Sequence, residues 1–106
     1  MIEIGDDSFR EKVLKKSLKT PIVVDFWSSW CRPCSILAPI LERFEKAYKR
    51  KFILAKLNID ENKETALVYS IKSIPNVKMF KDGKVVAEFT GALEESVIKE
   101  WFDRNL

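Results

Sequence analysis

Ile22-Val23-Val24-Asp25-Phe26-Trp27, followed after Ser28 and Ser29 by Trp30-Cys31-Arg32-Pro33-Cys34, joins an apolar run to a pair of cysteines. The run is broken only by Asp25, as expected of a strand covered on both faces. Beyond the cysteines, Ile36, Leu37, Ile40, Leu41, Phe44, Ala47 and Tyr48 fall on one stripe of a long helix. Pro39 lies inside it and predicts a bend. Cys31 therefore sits where a strand ends and a helix begins. Unpaired N–H groups and the positive end of the helix dipole stabilise a thiolate there. Pro33 suits the first helical turn, where the N–H it lacks would be unpaired anyway. Cys34 lies one turn further on, so the two sulfurs can close a disulfide, or part as thiols, with little backbone movement. The first sulfur is expected to be exposed and the second more buried.

Working outward, Ser8-Phe9-Arg10-Glu11 has capping-box spacing, and Phe9, Val13, Leu14 and Leu18 follow at helical intervals up to Pro21. Downstream, residues 52–59 form a strand pattern in which Ile53, Ala55, Leu57 and Ile59 share a face. A short helix is expected around residues 63–69. Val77 to Phe80 and Val85 to Phe89 flank Lys81-Asp82-Gly83-Lys84, a hairpin signal because the turn favours positive φ. Leu93, Val97, Ile98, Trp101 and Phe102 mark a last helix, with Glu94 and Glu95 in the first turn, where the dipole favours anions. Val85, Phe89, Val97, Ile98 and Trp101 are taken as core. Counting a short strand at Ile2 to Ile4, the order is β-α-β-α-β-α-β-β-α. This is an α/β pattern, with a central mixed sheet flanked by helices on both faces.

The chain has 106 residues, enough for one domain over 1–106. Its hydrophobic fraction of 46% supports an ordinary core. A net charge of +3 is too small and too dispersed to suggest nucleic acid as a partner. The densest basic cluster, Lys49-Arg50-Lys51, is read as a helix C-terminus favouring cations, with a docking patch as the alternative. No apolar run approaches a membrane span. The opening Met1-Ile2-Glu3-Ile4-Gly5-Asp6-Asp7 lacks the pattern of a secretory signal, so a cytoplasmic location is expected. With no His, triads and metal sites that depend on His are excluded within this chain. In a reducing compartment a lone Cys pair is more often catalytic or metal-binding than structural. Two Cys supply only half a zinc site, so a metal would need a second subunit. The expected form is a monomer without metal or bound cofactor.

Val24-Asp25-Phe26-Trp27 and Trp30-Cys31-x-Pro33-Cys34 resemble the active-site segment of the thioredoxin family. Ala55-Lys56-Leu57-Asn58-Ile59-Asp60, Ser73-Ile74-Pro75 and Thr90-Gly91-Ala92 resemble three further segments of that family, in the right order. The resemblance covers essentially the whole chain. It implies the thioredoxin fold and reduction of disulfides in target proteins, with a flavin-dependent thioredoxin reductase restoring the dithiol. It implies Cys31 as nucleophile, Cys34 as resolving thiol and Asp25 as proton acceptor for Cys34 through water. Lys56 is the partner of Asp25; the alternative is that the two form a purely structural pair. Burial should raise the Asp25 pKa. Trp30, Arg32 and Pro33 fall at the substrate face. Ile59, Ile74, Pro75, Gly91 and Ala92 complete a shallow apolar groove, with a cis Ile74–Pro75 bond facing the dithiol. Trp27 is divided between groove and core. Three departures from the family pattern stand out: Arg32 replaces a usual Gly, Asn76 a common Thr and Ser73 a frequent Gly. They bear on partner preference and redox poise. The competing readings are a disulfide oxidase or isomerase, whose members often carry His between the cysteines, and a non-catalytic binding module.

Overall fold

A computed structural model describes residues 1–106. Its centre is a five-stranded sheet in the order β1-β3-β2-β4-β5, with β1 at Ile2–Glu3, β2 at Ile22–Trp27, β3 at Ile53–Asn58, β4 at Asn76–Lys81 and β5 at Lys84–Thr90. The β1–β3 and β2–β3 pairs are parallel, and the β2–β4 and β4–β5 pairs antiparallel. The expected mixed sheet is thus present. β2 lies at its middle, and Ile22 to Phe26 are all buried.

Alternation along β2 sends its side chains to two separate cores. Val23 joins Leu37 and Leu41 of α1 (Arg32–Ala47) and Ile98, Trp101 and Phe102 of α3 (Glu95–Asn105). Ile22, Val24 and Phe26 join Phe9, Val13, Ala55, Leu57 and Phe80 on the opposite face. Tyr69 and Ile71, just past the short helix α2 (Lys63–Val68), pack against this second cluster. Helical layers therefore cover both faces.

The first helical segment differs from the expected α-helix. It is π-wound over Arg10–Lys15 and tightens to a 3₁₀ turn over Lys16–Leu18. The changed rotation per residue swings Leu18 to 63% exposure and buries Ser17 instead. Nor does the capping box form. The Ser8 hydroxyl accepts from Gly5 N–H at 3.0 Å and turns back to the Gly5 carbonyl, while Glu11 pairs with Lys15.

Two residues taken as core, and one from the stripe of the long helix, lie outside the interior. Val85 is 37% exposed because β5 is an edge strand, and the register with β4 shifts beside it. Val97 is 47% exposed, on the outer side of α3. Ile36, one position round from the buried Leu37, is 50% exposed. Phe89, Ile98 and Trp101 are buried as expected. The hairpin turn has Asp82 at φ 53° and Gly83 at φ 78°, both left-handed, as an Asp-Gly turn requires.

Candidate active site

The site is built where β2 gives way to α1. Cys31 is the N-cap of α1, with extended backbone (φ −91°, ψ 103°), and Arg32 and Pro33 open the first turn. The Cys31 sulfur accepts from the backbone N–H of Cys34 at 3.2 Å, so the helix terminus donates directly to it. The two cysteines are joined as a disulfide, with Cα atoms 5.3 Å apart. Cys31 is 6% exposed and Cys34 2%. The first sulfur, expected to be exposed, therefore belongs to a buried residue in this oxidised form, and its contrast with Cys34 is small.

Asp25 is 1% exposed, and its Oδ1 has no hydrogen-bond partner. Desolvation pushes its carboxyl up to about 7, against the opposing pull of the Lys56 charge. Lys56 lies across from Asp25 in the β2–β3 register. Its ammonium stands 5.3 Å from the centre of the Trp27 ring and 3.7 Å from the Glu3 carboxylate. Asp25, Trp27, Trp30, Cys31, Arg32, Cys34 and Lys56 line one cavity of about 380 Å³, together with Ser28 and Glu42. Trp27, one of whose two readings was core, borders this cavity and is only partly buried.

The remaining site residues do not line this cavity. The Ile74–Pro75 bond is cis, and the Pro75 carbonyl accepts from Gly91 N–H at 2.8 Å. Gly91 has φ 91°, a left-handed conformation that favours Gly. Ala92 is exposed beside it. Ile59 follows β3 and borders a separate depression with Leu67 and Ile71. Pro33 is exposed on the first turn of α1. No group of three or more Cys, Asp or Glu side chains is arranged to hold a metal ion.

A family model described as thioredoxin matches residues 1–104. Relatives named thioredoxin align over the full chain. One from Buchnera aphidicola of the pea aphid is 48% identical, one from Acidithiobacillus ferridurans 42% and one from Pseudomonas aeruginosa 40%; in each case the match covers 96% of the relative. The chain belongs to the thioredoxin family. With Cys31 and Cys34 paired at the helix tip, it is a thiol–disulfide oxidoreductase of the disulfide-reductase kind. Thioredoxin-family chemistry entails disulfide-bearing targets and a reductant that restores the dithiol. No helix is long and apolar enough to cross a membrane.

Two residues of this thioredoxin-family site went unassigned in the sequence. Ser28 is buried, and its hydroxyl donates to Asp60 Oδ2 at 2.6 Å. The Trp30 indole N–H donates to the same oxygen at 3.0 Å. The available signal was a polar residue directly after the apolar run, with an acidic residue directly after the next strand. Only the parallel β2–β3 register brings the two together.

Proposed function

We propose that Cys31 is the nucleophile and Cys34 the resolving thiol of a protein-disulfide reductase. The observation that carries this is the seat of Cys31 on the helix N-cap, its sulfur accepting from the Cys34 N–H. In the reduced form the same amide and the dipole favour a thiolate at Cys31. That thiolate attacks one sulfur of a target disulfide. A Cys31–target bond forms, and the other target sulfur leaves as a thiolate. Cys34 then loses its proton and attacks the Cys31 sulfur. The second target sulfur is expelled, and the chain is left as the Cys31–Cys34 disulfide. Two electrons pass from the chain to its target.

Asp25 is the proton acceptor for Cys34, acting through water in the shared cavity. A carboxyl with a pKa of about 7 exchanges protons readily at neutral pH. Lys56 tunes it by charge. Trp30, Arg32 and Pro33 form the substrate face around Cys31, and Ile59, Ile74, Pro75, Gly91 and Ala92 form the apolar groove that seats an extended target segment. The backbone beside the cis bond at Ile74 supplies strand-like pairing to that segment. A flavin-dependent thioredoxin reductase returns the chain to the dithiol. The chain acts as a cytoplasmic monomer over residues 1–106, without bound cofactor.

Insulin reduction with dithiothreitol as electron source, alongside metal analysis of the purified chain, tests this reading. Catalysed turnover by a metal-free chain supports it. No acceleration over dithiothreitol alone, or a stoichiometric metal between two chains, overturns it.

A further inference from the structure

Ser28 closes the apolar strand β2 with a hydroxyl that is almost wholly enclosed, the residue being 1% exposed. Its two polar groups serve different ends of the same turn. The carbonyl accepts from Cys31 N–H at 3.2 Å, closing the four-residue turn that carries the first sulfur. The hydroxyl donates to Asp60 Oδ2 at 2.6 Å, and that oxygen also accepts from the Trp30 indole N–H at 3.0 Å. Asp60 is itself held from behind, because Asn58 Oδ1 accepts from the Asp60 backbone N–H at 2.9 Å. Ile59 N–H reaches the Trp27 carbonyl at 2.9 Å, the last backbone rung between the two strands. Ser28–Asp60–Trp30 thus continues in side chains the ladder that ends in the backbone.

Trp30 is 70% exposed. So little packing leaves its orientation weakly determined, and the bond to Asp60 is its one polar restraint. An oxygen shared by two donors is oriented by the donor that is itself immobile, and here that donor is the buried Ser28. We propose that Ser28 is a positioning residue: acting through Asp60, it holds the Trp30 indole in one orientation beside Cys31 and so sets how tightly a protein disulfide docks. The inference rests on the reading of Trp30 as a substrate contact. Ordering the indole before the target arrives removes that cost from binding. The effect belongs in KM rather than kcat, because the clamp does not touch the reacting sulfurs.

The test compares Ser28→Ala, Asp60→Ala and the double variant, by insulin-reduction kinetics and by the Trp30 indole N–H resonance, assigned through its loss in Trp30→Phe. Each single variant should raise KM roughly three- to tenfold, with kcat changed less than twofold. The indole resonance should shift and exchange faster with solvent. The double variant should be no worse than either single one, because both cut the same link. An unmoved resonance, an unchanged KM or additive losses would overturn the proposal. Should Ser28→Ala fail to fold, the exposed Asp60 carries the same test, with the same outcomes deciding it. If the unaltered chain does not reduce insulin, the reductase reading fails, whereas the resonance still decides whether the clamp exists.

Discussion

Lys56 stands directly opposite Asp25 in the β2–β3 register, yet the two side chains do not close an ion pair. The ammonium leans over Trp27 and toward Glu3, and the carboxyl stays buried beside the cavity. Lys56 therefore moderates the Asp25 carboxyl by charge at a distance, and desolvation wins. A closed pair would have fixed the carboxylate in its ionised form.

The stability of the oxidised chain should reflect this. Asp25 releases its proton near 3.8 when unfolded and near 7 when folded. Between those values the folded state holds the extra proton, so this group's contribution falls as pH rises from about 4 to about 7. Asp25→Asn should then be more stable than the parent above pH 7, by no more than about 4 kcal/mol, with the gain vanishing near pH 4. Urea unfolding of both proteins across that range measures the difference. A gap independent of pH would contradict it.

Kinetics should move the other way. Asp25→Asn loses the proton acceptor, so resolution of the mixed disulfide should slow roughly tenfold or more near neutral pH. The parent should gain rate with an inflection near pH 7 that the variant lacks. Stopped-flow reduction between pH 6 and pH 9 checks this, and superimposable profiles would remove Asp25 from the proton path.

Cys34→Ser should trap targets. The first exchange step proceeds and the second cannot, so a covalent adduct through Cys31 accumulates and dissolves on adding dithiothreitol. Cys31→Ser should give none. Equal trapping by both variants would mean that the assignment of the two sulfurs is wrong.

Arg32→Gly should change the redox potential little. A cation about 8 Å from the sulfur in water-like surroundings contributes roughly 0.5 kcal/mol, or about 10 mV for a two-electron couple. Equilibration against glutathione buffers measures it. A shift several times larger would show that Arg32 acts on the sulfur at short range.

Lys78 offers a test remote from the dithiol. It is 6% exposed, and its ammonium meets Glu88 at 2.8 Å. Glu88→Ala strands a buried charge and should cost about 1–2 kcal/mol, less than for a fully enclosed pair because Glu88 is half exposed. Lys78→Met removes the charge along with its burial cost and should be close to neutral. Thermal unfolding distinguishes the two.

The sheet was legible because its signals are local and strong. Ile22 to Trp27 is nearly all apolar, and Asp82-Gly83 leaves little choice of turn. Cys31 could be placed at a helix tip for the same reason. The first helical segment was harder, since apolar spacing at Phe9, Val13 and Leu14 does not distinguish α from π winding, and the difference decides where Leu18 points. Val85 and Val97 resemble core residues in composition, and only position at an edge or on an outer face exposes them. The rung from Ser28 to Asp60 spans 32 residues and exists only once β2 and β3 have paired. Spacing along the chain marks each residue as lying past the end of a strand, but not the bond between them.

β2 has a neighbouring strand along each edge and a helical layer over each face, and the reactive loop grows directly from its end. β3 and β4 are likewise paired along both edges, and β4 is as deeply buried, so the amides of Val23 to Phe26 should be among the last to trade hydrogen for deuterium. Fraying at the rim would then leave the sulfurs aligned, and damage to the periphery would be tolerated until the molecule as a whole gives way.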